Sequence, residues 1–453
     1  MIIMKFGGTS VANCEAITRA IGIIQGRLAE KPVVVVSALS KVTDLLYRLA
    51  DAAAAKNRIE VENLLDQLRD RHISLANELL EGNSELCKEA CGKVNEICDS
   101  LASFVSAVCA LGELSDRSMA VIISNGEYLS SNIICRAMNA RGIATSYIDA
   151  RSIIITSKDY LKGEPMNEEI IRRTPEIVSN AFKGADAVIT QGFVSATPDG
   201  EPTVLGRGGS DYSASLIGMA VDAKRIEIWT DVDGVRTADP RRVQNTKCLD
   251  RISFEEAAEM AHFGAKVLHP LTIEPAVKKN IPLFVLNSMN PEGKGTAILQ
   301  SSFIEDGVKS ISCKENINVI NIFSTKMINV SGFLKKVFEI FSENKVSVDL
   351  ISTSEANISV TVDSSQNIEK VVKQLSEFAD VIVDNGKSQI SIIGKNIVNL
   401  KGMLKNTFAP LRDCKVYMIS QGASYVNISF VIDREVLDSV MQEIHHYLFE
   451  TKE

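Results

Sequence analysis

The chain has 453 residues, of which 45% are hydrophobic and 23% charged, an ordinary composition for a globular protein. The formal net charge is -8 and the lysines and arginines form no block, which argues against a nucleic-acid-binding surface. Nine scattered cysteines, no secretory leader and no apolar run of membrane-spanning length predict a reduced, cytoplasmic protein of about three domains.

The first segment predicts a strand, a tight turn and a helix. Residues 2–6 form a short apolar strand with one lysine, Gly7 and Gly8 form the turn, and Thr9 or Ser10 is a candidate N-cap. In residues 5–10 (KFGGTS), the glycines would let the backbone approach a phosphate, and Lys5 would reach it from the strand end. The lysine precedes the glycines, so this is not a Walker A loop. Taken alone, the motif fits an ordinary strand–helix turn equally well.

Strands and helices then alternate. The run PVVVV at residues 32–36 suits a central parallel strand that is buried on both faces. Residues 44–118 are predicted to be mostly helical. Further strands are predicted at residues 119–124, 145–149, 187–191 and 225–230. This alternation, which fades near residue 300, indicates an α/β fold with a mainly parallel sheet.

A second glycine-rich loop lies at residues 205–214 (LGRGGSDYSA) and leads into a helix predicted to be capped by Ser210 or Asp211. Arg207 between its glycines could clamp a carboxylate or phosphate with two hydrogen bonds. Asp211 could pair with a lysine or lie near a metal-bound phosphate. A solvated arginine in a plain loop is the alternative. It is disfavoured because two separate glycine loops each precede a helix.

Three more polar turns are candidates for ligand contacts. Residues 229–241 follow a strand end, the usual position of ligands in an open parallel sheet, although capping carboxylates would explain them too. Residues 124–127 (SNGE) are predicted as a strand end opening a helix, where Glu127 either accepts a substrate ammonium or stabilises the helix dipole. Lys266 could add a cation, whereas His269 before a proline is interpreted as a packed or capping residue.

A repeat begins after about residue 307, and its clearest sign is the tripeptide Asn-Ile-Ser at residue 357, which recurs 70 residues later at residue 427. The order strand, helix, two strands, helix, strand is the ferredoxin-like arrangement. The second copy lacks its last strand, and residues 307–313 are predicted to complete it, so that the first copy is inserted in the second. Two unrelated α+β pieces are the alternative. The predicted elements of the first copy are residues 318–323, 332–342, 347–352, 357–362, 368–378 and 381–383. The second copy has a strand from residue 389, a helix after Gly402, strands at residues 415–420 and 426–432, and a final helix.

Together these motifs resemble the amino acid kinase family, and within it the aspartate kinases, over nearly the whole chain. The resemblance implies a three-layer αβα sandwich with a mainly parallel central sheet in residues 1–300. It implies a regulatory region of two ferredoxin-like (βαββαβ) ACT domains in residues 301–453. The first would span about residues 315–385, inserted in the second, at about residues 305–314 plus 386–453.

The resemblance implies phosphoryl transfer from ATP, with Mg2+ held through its phosphates, to the side-chain carboxylate of L-aspartate. The product is 4-phospho-L-aspartate, in the first step of lysine, threonine and methionine synthesis. A carboxylate is already nucleophilic at neutral pH, so catalysis would rest on positioning and charge neutralisation. By this resemblance Lys5 stabilises the moving phosphoryl group, Asp211 orients the cations, Arg207 clamps the α-carboxylate and Glu127 takes the ammonium. It adds Thr43 and Ser210 to the aspartate site, and gives the ATP site Lys5, Phe6, Gly7, Gly8, Thr230, Asp231, Arg236, Arg241 and Lys266.

The ACT pair implies feedback control by lysine, by threonine or by both. Asp349 and Glu355 could meet an effector ammonium group, or could simply cap strand ends. ACT domains usually pair between chains, so a homodimer or a dimer of dimers is expected, without nucleic acid or membrane. The effector site would consist of Met327, Val330, Phe333, Leu334, Ser347, Val348, Asp349, Thr353, Ser354 and Glu355.

Two other functions are kept as alternatives. In the first, the protein senses amino acids through its ACT pair and its kinase domain is inert, although Lys5, Arg207 and Asp211 are all present. In the second, the fold is the same but the acceptor is acetylglutamate or glutamate, and such relatives usually lack the ACT tail. The length leaves no room for a fused homoserine dehydrogenase.

Overall fold

The computed structural model describes residues 1–264, 268–324, 331–422 and 424–450. The chain divides into two compact units, one of Met1–Val235 with Val267–Gln300 and one of Arg236–Lys266 with Ser301–Glu453. The predicted boundary at residue 300 coincides with a boundary between these units, whereas residues 236–266 fall in the second unit. The limits of the two ACT domains remain a prediction.

The elements are numbered in chain order. The described strands are β1 (Ile2–Phe6), β2 (Pro32–Val36), β3 (Thr145–Ile148), β4 (Ala187–Gln191), β5 (Val194–Ala196), β6 (Pro202–Val204), β7 (Ile226–Thr230), β8 (Arg251–Ser253), β9 (Leu283–Asn287), β10 (Thr296–Leu299), β11 (Gly307–Phe323), β12 (Ile351–Thr353), β13 (Asn357–Asp363), β14 (Asp380–Lys395), β15 (Met418–Gln421) and β16 (Asn427–Asp433). The described α-helices are α1 (Cys14–Gln25), α2 (Val42–Ala54), α3 (Arg58–Leu79), α4 (Ser84–Leu111), α5 (Asp116–Ile123), α6 (Asn125–Ala140), α7 (Asn167–Ala181), α8 (Gly209–Ala220), α9 (Phe254–His262), α10 (Pro270–Lys279), α11 (Phe333–Glu343), α12 (Glu369–Leu375), α13 (Met403–Phe408) and α14 (Leu437–His445).

The first unit is built on a mainly parallel sheet, as predicted. Its strands follow the order β3-β4-β2-β1-β7-β9-β10, and every neighbouring pair from β3 to β9 is parallel, while β10 runs antiparallel to β9. Strands β1 and β2 are buried at all five positions. Strands covered on both faces tolerate near-continuous apolar sequences, which explains the runs IIMKF and PVVVV.

Helices cover both faces of this sheet. Ile2, Met4 and Phe6 of β1 belong to one core cluster with buried side chains of α1, α2, α3, α4 and α6. Alternate residues of a strand point to opposite faces, and a Cβ added to Gly218 of α8 would lie 3.5 Å from Ile3. The helix α8 therefore packs on the opposite face. The unit is the three-layer αβα sandwich that the resemblance implied.

One predicted strand is wrong. Residues 119–124 lie in and just after α5, and only Ser124 separates α5 from α6, so residues 125–127 form the first turn of a helix that follows another helix rather than a strand. The Ser115 hydroxyl caps α5 by accepting a hydrogen bond of 3.1 Å from the Ser118 amide. A short apolar run cannot be assigned to strand or helix by periodicity alone, and the capping serine outweighs it.

The helix α4 is the only helix in the described ranges that is long and apolar enough to cross a membrane by length and composition, a candidate that inspection of the sequence excluded. One such helix is weak support for a membrane span. Buried side chains of α4 recur every three or four residues, including Ala90, Val94, Cys98, Leu101 and Val105, and they join the core cluster of the first unit. This periodicity is typical of a helix packed along one face.

The second unit contains an antiparallel sheet in the order β12-β13-β11-β14-β16-β15. The strand β11 joins the predicted strands 307–313 and 318–323 into one, and β14 likewise joins 381–383 to the strand that begins at residue 389. The two are paired from Gly307↔Lys395 to Phe323↔Asp380. The first half of β11 therefore lies beside the second repeat, which is the arrangement that the predicted insertion requires.

The two repeats begin their first helices in the same way. Gly332 precedes α11 and Gly402 precedes α13, both in left-handed conformations with φ of 91° and 77°. Glycine adopts this conformation without strain, which accounts for its recurrence 70 residues apart. The predicted strand at residues 347–352 is shorter than expected because β12 begins at Ile351, although the Asp349 amide already donates to Thr361 O at 2.9 Å.

Candidate active site at the carboxyl edge of the parallel sheet

A cleft of about 470 Å³ lies where β1 and β2 end. The carboxyl edge of an open parallel sheet is the usual position of a ligand site, because successive loops converge there. The described residues that line the cleft are Lys5, Gly8, residues 37–41, Thr43, Asp44, Tyr47, Glu127, Phe193 and residues 206–211.

The loop after β1 is held tightly against its neighbours. The Gly7 amide donates to Trp229 O at 3.1 Å, and the Ser40 amide donates to Gly8 O at 3.1 Å. A Cβ at Gly8 would lie 3.1 Å from Ala38 O, so a side chain there would press on the next loop. The glycines thus bring two backbone segments together at the cleft.

The N-cap predicted in this loop is wrong. The helix α1 begins at Cys14, and its cap is Asn13, whose side chain accepts from the Ala16 amide at 2.9 Å. Ser10 is buried and anchors the loop instead, because its hydroxyl donates to Trp229 O at 3.2 Å and shares a hydrogen bond of 2.8 Å with Ser288. The loop is therefore fixed by tertiary hydrogen bonds before the helix starts.

Lys5 forms an ion pair with Asp211 in the cleft, and their side chains are 10% and 16% exposed. Lys5 lies on β1 and Asp211 on the first turn of α8, so the pair joins the two glycine loops that the sequence singled out. The predicted cap of this helix is wrong: Gly208 is the N-cap and no side chain caps it. The Asp211 carboxylate is consequently available for Lys5.

Gly208 is the most constrained glycine of this loop. Its φ is +74°, and a Cβ added to it would lie 2.5 Å from the His269 Cβ. His269 itself caps α10, accepting a hydrogen bond from the Leu271 amide at 3.4 Å, in agreement with its interpretation as a capping residue. Burial, and next the Arg207 charge, lower the pKa of His269, which favours the neutral ring that this cap requires.

Gly208→Ala is expected to destabilise the protein and to reduce binding in the cleft. The matched control is Gly200→Ala, because Gly200 also has a positive φ (+83°) but a Cβ there would meet no atom within 4 Å. Both variants pay the cost of a left-handed alanine, about 1 kcal/mol, and only the first adds a clash. Urea unfolding should show a clearly larger decrease in the free energy of unfolding for Gly208→Ala than for Gly200→Ala. Equal losses would contradict the packing described above.

Glu127 is the most unusual group in the cleft because it is an acid with 3% exposure. One oxygen, Oε1, accepts a hydrogen bond of 3.2 Å from the Ala38 amide, and Oε2 is buried without a hydrogen-bond partner in the described parts of the chain. Burial raises the pKa of Glu127 to about 8. A buried carboxylate oxygen without a donor is costly, so a cationic ligand group would be favoured beside it.

Other predicted substrate residues also line the cleft. Thr43, Arg207 and Ser210 lie along its wall. Arg207 is exposed and forms no ion pair within the described ranges, so its guanidinium can receive an anionic group. The structure thus brings together all the residues that the resemblance assigned to catalysis and to aspartate.

The predicted ATP residues are distributed over both units. Phe6 is fully buried against Trp229, so only its backbone could face a nucleotide. Thr230 ends β7, and its hydroxyl donates to the Asp231 carboxylate at 3.2 Å. Arg236 and Arg241 belong to the second unit, where Arg236 donates to Thr246 O at 2.7 Å and Arg241 pairs with Asp239 at 2.6 Å. Lys266 lies outside the described residues, and its role stays a prediction.

The predicted effector residues lie in the first repeat of the second unit. Phe333 and Leu334 begin α11, and Val348 packs beside its core cluster. Ser354 forms a turn with Asn357 through hydrogen bonds of 2.8 and 3.2 Å. Thr353 ends β12, and Ser347, Asp349 and Glu355 lie in the segments next to that strand, while Met327 and Val330 fall outside the described residues.

Residues 37–43 belong to the segments that carry the family resemblance, but the resemblance assigned a binding role only to Thr43 and to none of the residues before it. Ser37, Ala38, Ser40 and Lys41 all contribute to the wall. Lys41 has a φ of +65°, in the left-handed region that is uncommon for lysine. The available signal was the position of this loop at the carboxyl end of a buried parallel strand.

Comparisons with known proteins agree with this geometry. Residues 1–287 match the amino acid kinase family, and residues 320–377 and 390–448 match the ACT domain. The lysine-sensitive aspartokinase 3 of Escherichia coli is 33% identical over 459 residues, which cover 99% of each chain. The chain belongs to the aspartokinases of the amino acid kinase family.

The chain is also similar to other aspartokinases and to solved aspartokinase structures. Aspartokinase 3 of Arabidopsis thaliana is 35% identical over 99% of this chain and 82% of its own length. Among solved structures, E. coli aspartokinase III in complex with aspartate and ADP superposes with a TM-score of 0.87 at 32% identity, covering 99% of this chain and 100% of that one. The structure of the same enzyme in complex with lysine and aspartate superposes with a TM-score of 0.80 at 31% identity, again covering 99% of this chain and 100% of that one.

Proposed function

We propose that this aspartokinase transfers the γ-phosphoryl group of ATP to the side-chain carboxylate of L-aspartate. A carboxylate oxygen forms the new bond to phosphorus, the bond to the leaving oxygen of ADP breaks, and the products are ADP and 4-phospho-L-aspartate. The observation that carries the proposal is Glu127, whose Oε2 is buried at one side of the cleft without a donor among the residues that the structure describes. An amino acid supplies the missing ammonium group.

The other cleft residues fit the rest of the substrate. Arg207 is exposed in the cleft and would take the α-carboxylate, whereas Lys5 is engaged by Asp211. With the two ends of the amino acid held, its side-chain carboxylate is directed at the γ-phosphate, and Lys5 neutralises charge on the moving phosphoryl group. Thr43 and Ser210 add hydroxyl contacts along the wall.

Mg2+ would reach the site on the phosphates of ATP. Among the described residues no group of three or more histidine, cysteine, aspartate or glutamate side chains is arranged for a metal ion, whereas a carboxylate such as Asp211 is the oxygen donor that Mg2+ accepts. The ion would supply charge neutralisation at the transferred phosphate. Asp211 would orient both this ion and Lys5.

Regulation by amino acids belongs to the same proposal. A homologous structure contains lysine together with aspartate, and the present chain carries Asp349 and Glu355 in its first ACT match, residues 320–377. We propose that the protein is a cytoplasmic enzyme of lysine, threonine and methionine synthesis and that it assembles as a homodimer or a dimer of dimers. Lysine, threonine or both would be the effector.

The test is an ATP-dependent assay in which hydroxylamine traps the acyl phosphate. Purified protein with Mg2+, ATP and L-aspartate should form aspartyl hydroxamate, and glutamate or acetylglutamate should form far less. Folded protein that gives no hydroxamate with any acceptor, but binds lysine or threonine in calorimetry, would replace the kinase with the inert amino-acid sensor. Omission of Mg2+ is the control for the nucleotide complex.

A further inference from the structure

The carboxylate of Asp349, which the proposed function assigns to the effector, forms an ion pair with a lysine of the same chain. The Lys314 ammonium lies 2.6 Å from an Asp349 carboxylate oxygen, and the Asp349 side chain is only 9% exposed. A second acid, Asp363, lies 3.7 Å from the same ammonium and is 37% exposed. Lys314 thus has one close partner and a second within ion-pair range.

Lys387 of β14 provides a charge-matched comparison with different partners. Lys314 of β11 and Lys387 of β14 lie on the two sides of the same irregularity in the ladder, where the pairs are Lys314↔Gln389 and Ile317↔Lys387. Lys387 pairs at 2.6 Å with Asp433, the last residue of β16, whereas Asp363 is the last residue of β13. By the 70-residue offset Lys387 corresponds to Ile317, which faces Asp363 in the ladder as Lys387 faces Asp433, so Lys314 has no equivalent lysine in the second repeat.

The first repeat carries an acid, Asp349, that the second repeat lacks at the corresponding position. Seventy residues after Asp349 the second repeat has Ile419 on β15. Lys387 pairs with Asp433 and also donates to the Tyr417 hydroxyl at 2.8 Å. Lys314 instead lies between two acids and is closer to Asp349, the acid that the proposed function assigns to the effector ammonium, than to Asp363.

We propose that Lys314 is an internal competitor of the amino-acid effector, with two alternative positions. Without effector it pairs with Asp349. An effector ammonium takes Asp349 and Lys314 moves to Asp363, so no ammonium or carboxylate is left unpaired. This inference rests on the effector site of the proposed function and adds the residue that sets its affinity.

The position of Lys314 also links the effector acid to other parts of the second unit. The His262 ring lies 3.9 Å from Asp349, at the end of α9. Phe263 packs in one cluster with Leu350. A Cβ at Gly264 would lie 2.0 Å from Cys313 O, directly before Lys314, so this backbone is tightly apposed. The segment that follows in sequence contains Lys266, the predicted nucleotide residue.

The experiment is a calorimetric titration of the full-length protein with L-lysine, and in parallel with L-threonine, across a double-mutant cycle. Lys314→Met should bind the effector about fivefold tighter, because an exchange worth roughly 1 kcal/mol is no longer needed. Asp363→Asn should bind about threefold more weakly, because Lys314 loses its second partner. In the double variant, Asp363→Asn should have no further effect.

The double variant distinguishes an exchange of ion-pair partners by Lys314 from a long-range electrostatic effect. In a long-range effect, the changes in binding free energy caused by Lys314→Met and Asp363→Asn would simply add. Lys387→Met and Asp433→Asn are the matched controls and should leave effector affinity unchanged, since they alter the same charges in the other repeat. Unchanged or weaker binding by Lys314→Met, or additive changes, would overturn the inference. Absence of binding by the wild-type protein would overturn it together with the effector site, while the hydroxamate assay decides the kinase reaction independently.

Discussion

Lys5→Ala is expected to lower kcat by about 10²- to 10³-fold, the loss typical of removing one preorganised charge-stabilising group. The reason is that Lys5 lies in the cleft beside Asp211. Among the described residues that line the cleft, the only other lysine is Lys41, which is exposed. The substitution should leave the protein folded, since β1 is held by backbone ladders to β2 and β7. The hydroxamate assay under saturating ATP and aspartate measures the effect.

A double-mutant cycle distinguishes catalysis from stability. Lys5→Ala leaves Asp211 without its ion-pair partner, a loss on the order of 1–3 kcal/mol for a partly buried charge. Lys5→Ala/Asp211→Ala should regain part of that stability in urea unfolding and none of the activity. Lys183→Ala, at an exposed position on another part of the first unit, is the control. Near wild-type turnover of Lys5→Ala would remove Lys5 from the mechanism.

Glu127→Gln is expected to lower kcat/KM for aspartate roughly 10- to 100-fold, because an amide pairs with an ammonium group far more weakly than a carboxylate does. The pH profile is the sharper readout. With a pKa of about 8, Glu127 is protonated at neutral pH in the free enzyme, and it must ionise to pair with the ammonium. Aspartate affinity should therefore rise as pH approaches 8. The glutamine variant should lose this rise.

The same pKa predicts an effect on folding of the free enzyme. The pKa of Glu127 is raised from 4.5 to about 8 by burial, so the folded state retains a proton that the unfolded chain releases. The contribution of the neutral acid to stability is complete below pH 4.5 and is lost progressively as pH rises to about 8. Urea unfolding at several pH values should show this decline in the wild type and a smaller one in Glu127→Gln.

Glu256 provides the matched control. It is also a buried glutamate whose pKa is raised by burial, but it closes the capping box of α9 with Ser253 in the second unit. Glu256→Gln should alter the pH dependence of stability without altering the pH dependence of KM for aspartate. A KM profile for Glu127→Gln that matches the wild type would contradict the role of Glu127 in ammonium binding.

The sequence predicted the elements whose identity depends on burial. Strands β1 and β2 are apolar at nearly every position, and only a parallel sheet covered on both faces accepts such runs. The repeat was found from the Asn-Ile-Ser match at residues 357 and 427, and Gly332 and Gly402 share its offset because each occupies a left-handed position that glycine adopts easily. In both cases the local sequence and the tertiary structure favour the same conformation.

The errors arose where tertiary contacts decide local structure. Residues 119–124 form a helix although their short apolar run also suits a strand. Ser10 resembles a helix cap, but its hydroxyl is taken by Trp229 O and Ser288, which lie more than 200 residues away. The unpartnered oxygen of Glu127 could not be predicted at all, because it depends on how the loop after β2 covers the start of α6.

The long β11–β14 ladder, which runs through three register shifts, has a consequence for how the second repeat is assembled. The first repeat is contiguous, so Phe323 and Asp380 can pair as soon as that stretch of chain has been synthesised. From there the ladder can extend residue by residue to Gly307 and Lys395, which are distant in sequence. Extension of an aligned pair closes only short loops and avoids most of the entropy of a long-range search. The first repeat thereby acts as the folding template for the second.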